Sequence, residues 1–196
     1  MKIGIFGGTF DPIHFGHLQL ARNARVQFSL DKVIFVPAFQ SPHKQDVPSI
    51  TPAAHRYEMV RLAIESEPHC GLSDSELKRQ GISYTFDTLI EFEKQYPGAE
   101  FFLILGKDAF EGLDAWHRAP ELKQKVRFIV AKRENHGLPA VRDVRADWIQ
   151  MPLCPISASG IRAALKRGES VDDYLSPKVL QYIRTNELYR KDQAWT

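Results

Sequence analysis

The sequence contains little cysteine and no long apolar run. Only two cysteines, Cys70 and Cys154, occur among 196 residues, and neither belongs to a CxxC pair. This pattern favours free thiols in a reducing compartment over a disulfide framework. No stretch approaches the roughly 20 apolar residues that a membrane span needs, and the apolar run at 3–6 is too short for a signal-peptide core. We therefore predict a cytoplasmic protein without a membrane segment.

The sequence also has almost no net charge. There are 26 basic and 24 acidic residues, which give a formal net charge of +2. Such a balance provides no polybasic surface for nucleic acid or for a membrane, and we expect neither as a partner. The hydrophobic fraction of 43% and the charged fraction of 26% are typical of a soluble globular protein. The length suits a single domain, 1–196, with a full core.

Two common nucleotide-binding motifs are missing. The sequence has no G-x-G-x-x-G fingerprint, and Gly106-Lys107 lacks both the preceding glycine and the following Ser or Thr of a Walker A loop. A zinc site built on His14 and His17 lacks a third ligand at the usual spacing, so we predict no protein-bound metal there.

Apolar runs and helical periodicity alternate along the chain. Strands are predicted at 2–6, 32–36, 70–72, 100–105, 126–131 and 148–151. Helices are predicted at 17–30, after Thr51-Pro52 with Thr51 as the N-cap and Pro52 in the first turn, at 86–96 with Thr85 as its cap, at 159–167 and at 177–186. Strands that read as continuous apolar runs suit a parallel sheet covered on both faces. We predict an α/β fold: a Rossmann-like, doubly wound parallel sheet with helices on both faces and a small C-terminal helical portion.

The segment from Gly7 to His17 follows the first strand and offers groups suited to phosphate. Gly7 and Gly8 allow close backbone approach and a positive φ where needed, and Thr9 adds a hydroxyl and an amide. His14 and His17 are one helical turn apart, so they can face the same way near a helix N-terminus that favours anions. The loop therefore predicts a cradle for a polyphosphate.

The residues Gly-Gly-Thr-Phe-Asp-Pro followed by His-x-Gly-His resemble the motif of the HxGH nucleotidyltransferase superfamily. With histidine rather than threonine at His14, the run is most similar to bacterial nicotinate-nucleotide adenylyltransferase. Further matches follow in order along nearly the whole chain: Ser41–Lys44, Arg56 with Met59, Gly81–Leu89, Gly106–Asp108, Trp116 and Ile156–Arg162. Lys107 departs from the pattern, where we expect a smaller or neutral residue, and it can alter the local charge near the nucleotides.

The resemblance implies that ATP and nicotinate mononucleotide give deamido-NAD and pyrophosphate, a step of NAD biosynthesis. The mononucleotide phosphate attacks the α-phosphorus directly, without a covalent enzyme intermediate, and Mg²⁺ accompanies ATP. The implied catalytic residues are His14, His17 and Arg162. The implied ATP-binding residues are Gly7, Gly8, Thr9, Phe10, His14, His17, Gly106, Asp108, Ile156, Ser157 and Arg162. The implied residues for nicotinate mononucleotide are Lys44, Ser83, Tyr84, Thr85 and Trp116.

Several of these residues also have ordinary structural interpretations. Ser157 and Ser159 are natural N-caps, Asp108 is a common residue at a helix start, Lys44 can be a solvated lysine, and Trp116 can be a packing residue. The helix start at Tyr84-Thr85 could bind the nicotinate carboxylate, which predicts preference for the acid over the amide.

Three alternative functions remain open: adenylyl transfer to nicotinamide mononucleotide, adenylyl transfer to phosphopantetheine, and nucleotide sensing without catalysis. The segment 41–49 is rich in proline and polar residues and is a candidate lid. The sequence leaves the formation of a homo-oligomer open.

Overall fold

Strands and helices alternate along the chain. The computed structural model describes residues 1–42, 51–132, 144–150 and 157–190. The strands are β1 (Lys2–Gly8), β2 (Lys32–Pro37), β3 (Cys70–Leu72), β4 (Glu100–Gly106), β5 (Arg127–Lys132) and β6 (Ala146–Gln150). The helices are α1 (Phe15–Phe28), α2 (Ala53–Ile64), α3 (Ser75–Arg79), α4 (Thr85–Gln95), α5 (Lys107–Glu111), α6 (Ala119–Lys125), α7 (Ala158–Arg167) and α8 (Pro177–Thr185), with a short 3-10 helix at Leu113–Ala115.

The six strands form one parallel sheet in the order β3-β2-β1-β4-β5-β6. The chain builds one half of the sheet outward from β1, then returns to the other side of β1 with β4. Ile5 of β1 therefore pairs with Ile34 on one side and Leu103 on the other. In open α/β sheets, ligands bind in the crevice at such a reversal, outside the carboxyl ends of the strands. The predicted doubly wound parallel sheet is confirmed.

Side chains of the central strands are buried on both faces of the sheet. In β4, Phe102 and Ile104 join the core formed with α1, α2, α7 and α8. Phe101, Leu103 and Leu105 join the opposite core, formed with α4, α5 and α6. Because neighbouring side chains of a strand point to opposite faces, two covered faces require the unbroken apolar run seen in the sequence.

Helix starts are the places where the structure differs most from the sequence predictions. α1 begins at Phe15, two residues before the predicted start. Thr85 is the first residue of α4 rather than its cap, and the cap position belongs to Tyr84. Pro52 likewise occupies the cap position of α2, where Thr51 was expected. The short helices α3, α5 and α6 were not predicted, because five to seven residues are too few to establish a 3.6-residue period.

The last two helices, α7 and α8, are each capped by a serine side chain. Ser157 caps α7 by accepting a hydrogen bond from the amide of Gly160 at 3.2 Å, and Ser176 caps α8 by accepting one from Val179 at 3.4 Å. Both caps satisfy amides that have no partner within their helix. Among the helices of the described residues, none is long and apolar enough to cross a bilayer.

Candidate active site

The glycine loop leaves the carboxyl end of β1, beside the point where the strand order reverses. Gly8 makes room for the ring of Phe10, because a Cβ atom at Gly8 would lie 2.9 Å from Phe10 Cζ. A Cβ at Gly7 would meet nothing within 4 Å. The positive φ that the sequence suggested for these glycines occurs instead at Phe10, with φ 49°, whose side chain is buried. The loop conformation is therefore fixed by packing of Phe10.

His14 and His17 lie together at the N-terminus of α1, as predicted. His14 occupies the cap position and His17 the third helical position, and their ring centroids are 3.8 Å apart. The backbone N–H of His14 donates a hydrogen bond to His17 Nδ1 at 3.2 Å. Because Nδ1 is the acceptor, the neutral imidazole of His17 carries its proton on Nε2, which makes Nε2 a hydrogen-bond donor.

Burial controls the charge of His14. Desolvation lowers the pKa of His14 to about 4, so its imidazole is neutral at neutral pH. The ring of His17 packs edge-on against Phe10, with centroids 5.1 Å apart, which restricts its orientation. The pair therefore offers oriented N–H donors to an anion, and His14 does so without a permanent positive charge.

Arg162 joins α7 to the glycine loop. Its Nη1 donates a hydrogen bond to the backbone oxygen of Asp11 at 2.6 Å and lies 4.0 Å from the Asp11 carboxylate. The buried hydroxyl of Tyr189 donates to the other carboxylate oxygen of Asp11 at 2.6 Å. Arg162 thus ties α7 to the loop that precedes α1, and neither helix has an acidic residue in its first turn. This arrangement favours binding of an anion. Ile156 lies outside the described residues.

A cavity of about 220 Å³ opens at the crevice between β1 and β4. It brings together predicted ATP-loop and acceptor residues that are distant in sequence. The cavity lining includes these predicted site residues: Gly7, Gly8, Thr9, Ser83, Tyr84, Thr85 and Trp116. The ring of Tyr84 stacks on His117, with centroids 4.4 Å apart and an interplanar angle of 32°, so the cavity has an aromatic wall. Such a wall is suited to a flat, cationic ring.

The start of α4 forms the opposite side of this cavity. The amide of Ser83 is used in a hydrogen bond to Gln40 O at 2.9 Å. Among the described residues, the amides of Tyr84 and Thr85 have no backbone acceptor, as expected at a helix N-terminus. These two amides can bind a carboxylate. Lys44, the expected cation on this side, lies outside the described residues.

The segment after β4 reaches the cavity with residues other than those predicted. Leu105 and Ala109 line the cavity. Their neighbours in the sequence, Gly106 and Asp108, are exposed and are not among its lining residues. Lys107 forms an ion pair with Glu111 at 3.5 Å, which offsets part of its charge.

Four residues at the site were not singled out as site residues from the sequence: Asp11, Arg56, Glu76 and His117. Asp11, Arg56 and Glu76 are charged residues with 6% or less of their surface exposed. The motif matches contained Asp11 and Arg56, but they gave no sign of burial. Glu76 in an isolated Ser-Glu-Leu-Lys-Arg segment resembles an ordinary surface carboxylate, and only the folded chain brings it to the cavity. Burial raises the pKa of Glu76.

Two further features concern what else the surface can bind. A larger open cleft of about 680 Å³ lies beside β3, with Lys32 and Tyr96 among its lining residues, and shares no lining residue with the first cavity. It contains none of the predicted site residues, and we assign it no role.

Within the described ranges, no three His, Cys, Asp or Glu side chains are grouped to hold a metal ion. Those residues do not fit a protein-held metal site.

Comparison with known proteins agrees with this arrangement. The cytidylyltransferase-like family matches residues 5–164. A protein of Oceanobacillus iheyensis is 41% identical over 188 residues, covering 96% of each chain, and one of Moorella thermoacetica is 40% identical over 96% of this chain and 92% of its own. Both bear the name "Probable nicotinate-nucleotide adenylyltransferase".

The fold is shared with solved structures at lower identity. Plasmodium falciparum nicotinic acid mononucleotide adenylyltransferase, in its complex with NaAD, superposes with a TM-score of 0.78 at 22% identity, over 96% of this chain and 97% of that one. Its complex with APC gives a TM-score of 0.76. Identity of about 40% over nearly the whole length, together with the shared fold, shows that the chain belongs to the nicotinate-nucleotide adenylyltransferase family.

Proposed function

We propose that this chain transfers the adenylyl group of ATP to nicotinate mononucleotide, giving deamido-NAD and pyrophosphate. The observation that carries the proposal is the shared cavity, in which Gly7–Thr9 face the start of α4 and Trp116. The loop beside the paired histidines suits a triphosphate, and the opposite wall suits an aromatic carboxylate. Family membership supports the same reaction.

The reaction needs alignment and charge stabilisation rather than a protein nucleophile. An oxygen of the mononucleotide 5′-phosphate forms a bond to the α-phosphorus of ATP, and the bond from that phosphorus to the bridging oxygen breaks. Pyrophosphate leaves with the electron pair. Magnesium, entering with ATP, is held by phosphate and water oxygens in this proposal.

The histidines and Arg162 are the proposed catalytic residues. His14 and His17 donate N–H hydrogen bonds to the phosphates, and His17 does so from the Nε2 atom that its tautomer protonates. Arg162, already held against the loop by Asp11, contacts the β- and γ-phosphates. Charge that develops on the leaving pyrophosphate is stabilised by groups oriented before the reaction begins.

The remaining ATP contacts come from three segments. They are Gly7, Gly8, Thr9 and Phe10 in the loop, Ile156 and Ser157 in the motif that precedes α7, and Gly106 and Asp108, which contact the ribose. On the acceptor side, Lys44 approaches the mononucleotide phosphate and Trp116 covers the pyridinium. The amides of Tyr84 and Thr85, positioned by Ser83, bind the carboxylate.

A pyrophosphate-release assay with ATP, Mg²⁺ and a panel of acceptors tests the function. We expect release with nicotinate mononucleotide to exceed release with nicotinamide mononucleotide, because a carboxamide has no charge for the α4 amides to bind. More efficient use of the amide contradicts the substrate assignment. Release only with phosphopantetheine, or nucleotide binding without release, supports the alternative functions.

Alanine variants of the paired histidines test their roles. Removing one oriented donor to developing charge costs about 100-fold or more in turnover, so H14A and H17A should each lose at least this much while remaining folded. The control is H69A, at an exposed histidine. Near-wild-type turnover in H14A or H17A contradicts the assignment for that residue.

A further inference from the structure

Two networks of buried polar residues are connected to the cavity: one contains the lining residues Glu76 and Ser83, and the other binds the backbone of the lining residue Thr9. Six polar or charged side chains are buried in the described part of the chain, and all six belong to these networks. The arginine network comprises Asp11, Arg56 and Thr51, of which Thr51 takes part through its backbone N–H and C=O; the glutamate network comprises Glu76, Ser83 and Thr88. Burying polar groups is costly unless hydrogen bonds replace those to water, so their concentration at one site needs a physical reason.

Arg56 joins three separate chain segments. Its side chain is 1% exposed, and each nitrogen of its guanidinium donates to a different backbone carbonyl. The acceptors are Thr9 O at 2.7 Å, Phe39 O at 3.0 Å and Thr51 O at 2.7 Å. Thr9 belongs to the glycine loop, Phe39 follows β2, and Thr51 precedes α2. A planar fork with fixed donor directions sets the relative positions of these segments, which a lysine cannot do.

The glutamate network holds the other side of the cavity. Thr88 donates its hydroxyl to Glu76 Oε1 at 2.7 Å, and the Ser83 hydroxyl is near enough to Glu76 to lower its pKa, against the larger raising effect of burial. Ser83 Oγ accepts a hydrogen bond from the backbone N–H of Phe39 at 2.9 Å. Glu76 therefore binds α4 through Thr88 and lies beside Ser83, which immediately precedes the cap of that helix.

The two networks meet at Phe39, whose N–H is bound by Ser83 and whose C=O is bound by Arg56. We propose that Arg56 and Glu76 are positioning residues, which hold the glycine loop and the start of α4 at a fixed separation through the backbone of Phe39. This inference rests on the proposed function, in which the glycine loop holds ATP and α4 holds the acceptor. In-line attack requires the reacting atoms to be aligned about 3–3.5 Å apart, and a misplacement of about 1 Å can cost 100-fold in rate.

Kinetics of R56K provide the main test. Lysine keeps the positive charge but replaces three oriented bonds with one mobile donor group. We expect kcat to fall about 100-fold, while KM for ATP and for nicotinate mononucleotide stays within about threefold, because the residues that contact them are unchanged. The matched control is R61K on the same helix, where Arg61 is exposed and paired with Glu58. A kcat within about twofold of wild type, or a loss carried by KM, overturns the proposal.

A double-mutant cycle separates positioning from general stabilisation. R56K and S83A release opposite sides of the Phe39 backbone, so the double variant should lose little more kcat than R56K alone. R61K combined with S83A should show independent effects. Independent, multiplying losses for R56K and S83A overturn the proposal.

Variants of Glu76 keep the test decisive if R56K does not fold. E76Q retains an acceptor for Thr88 and should keep more kcat than E76A. E76Q should add little to S83A, because Glu76 acts on Phe39 through Ser83. Equal activity of E76Q, E76A and wild type, or independent losses in E76Q and S83A, overturns the role of Glu76.

Failure of the proposed function has a different outcome. If the wild-type protein adenylylates another acceptor and not nicotinate mononucleotide, the substrate assignment is wrong. Loss of kcat in R56K with that acceptor, at unchanged KM, still supports the positioning role, and retention of kcat contradicts it.

Discussion

Replacing His14 with glutamine tests whether its imidazole is neutral in the folded protein. Burial lowers the pKa of His14 from 6.5 to about 4. The unfolded chain therefore binds a proton at a higher pH than the folded chain does. As pH falls below 6.5, protonation favours the unfolded state, and this effect levels off below about pH 4. Stability from His14 is thus complete at neutral pH and is lost in acid.

The two pKa values set the size of the effect. Between about pH 7 and about pH 5, linkage predicts that wild type loses about 2 kcal/mol of unfolding free energy through His14, with a limit of about 3 kcal/mol in stronger acid. H14Q has no titrating group at this position and should lack this component of the pH dependence.

Urea unfolding followed by tryptophan fluorescence at the two pH values measures the difference. The matched control is H69Q, because His69 is exposed and its replacement should leave the pH dependence as in wild type. If wild type and H14Q lose equal stability between the two pH values, His14 is not held neutral by burial. The description of it as an uncharged donor would then be wrong.

Three further measurements test separate parts of the structure. S176A removes the cap of α8 and should lower the unfolding free energy by about 1 kcal/mol in urea. Burial raises the pKa of Cys70 to about 11. In a C154S variant, alkylation of Cys70 at neutral pH should therefore be at least about tenfold slower than alkylation of free cysteine, and it should become faster in urea. W116A should raise KM for nicotinate mononucleotide about tenfold while KM for ATP changes little, because Trp116 lines the acceptor cavity; equal changes for both substrates contradict that placement.

The central strands could be predicted because burial on both faces of the sheet requires a continuous run of apolar residues. Phe101 to Leu105 is apolar at every position, and the structure distributes these side chains between two cores. The pairing of His14 with His17 was also predictable, since a three-residue spacing fixes their direction once a helix begins there. Both predictions depend on local geometry that the sequence specifies directly.

Other features depend on segments that are distant along the chain. Glu76 is buried because residues 83 and 88 return to cover it, and neither segment carries a local signal of this contact. The positive φ at Phe10 is a similar case, because a glycine would be the usual choice and the buried ring of Phe10 determines the actual conformation. Sequence patterns indicate which residues are present at the site, but the tertiary contacts decide how each one acts.

Asp11 illustrates why a motif alone does not separate chemistry from support. It lies within the run that resembles a phosphate-binding motif, where a carboxylate could be taken for a metal ligand or a general base. In the structure it is 3% exposed, accepts from Tyr189, and presents its backbone oxygen to Arg162. A buried carboxylate with these partners cannot readily reach a substrate, and a negative charge would repel the phosphates. Asp11 therefore acts by holding Arg162 and the C-terminal segment against the loop, so the motif includes the residue that supports the loop as well as those that we propose bind ATP.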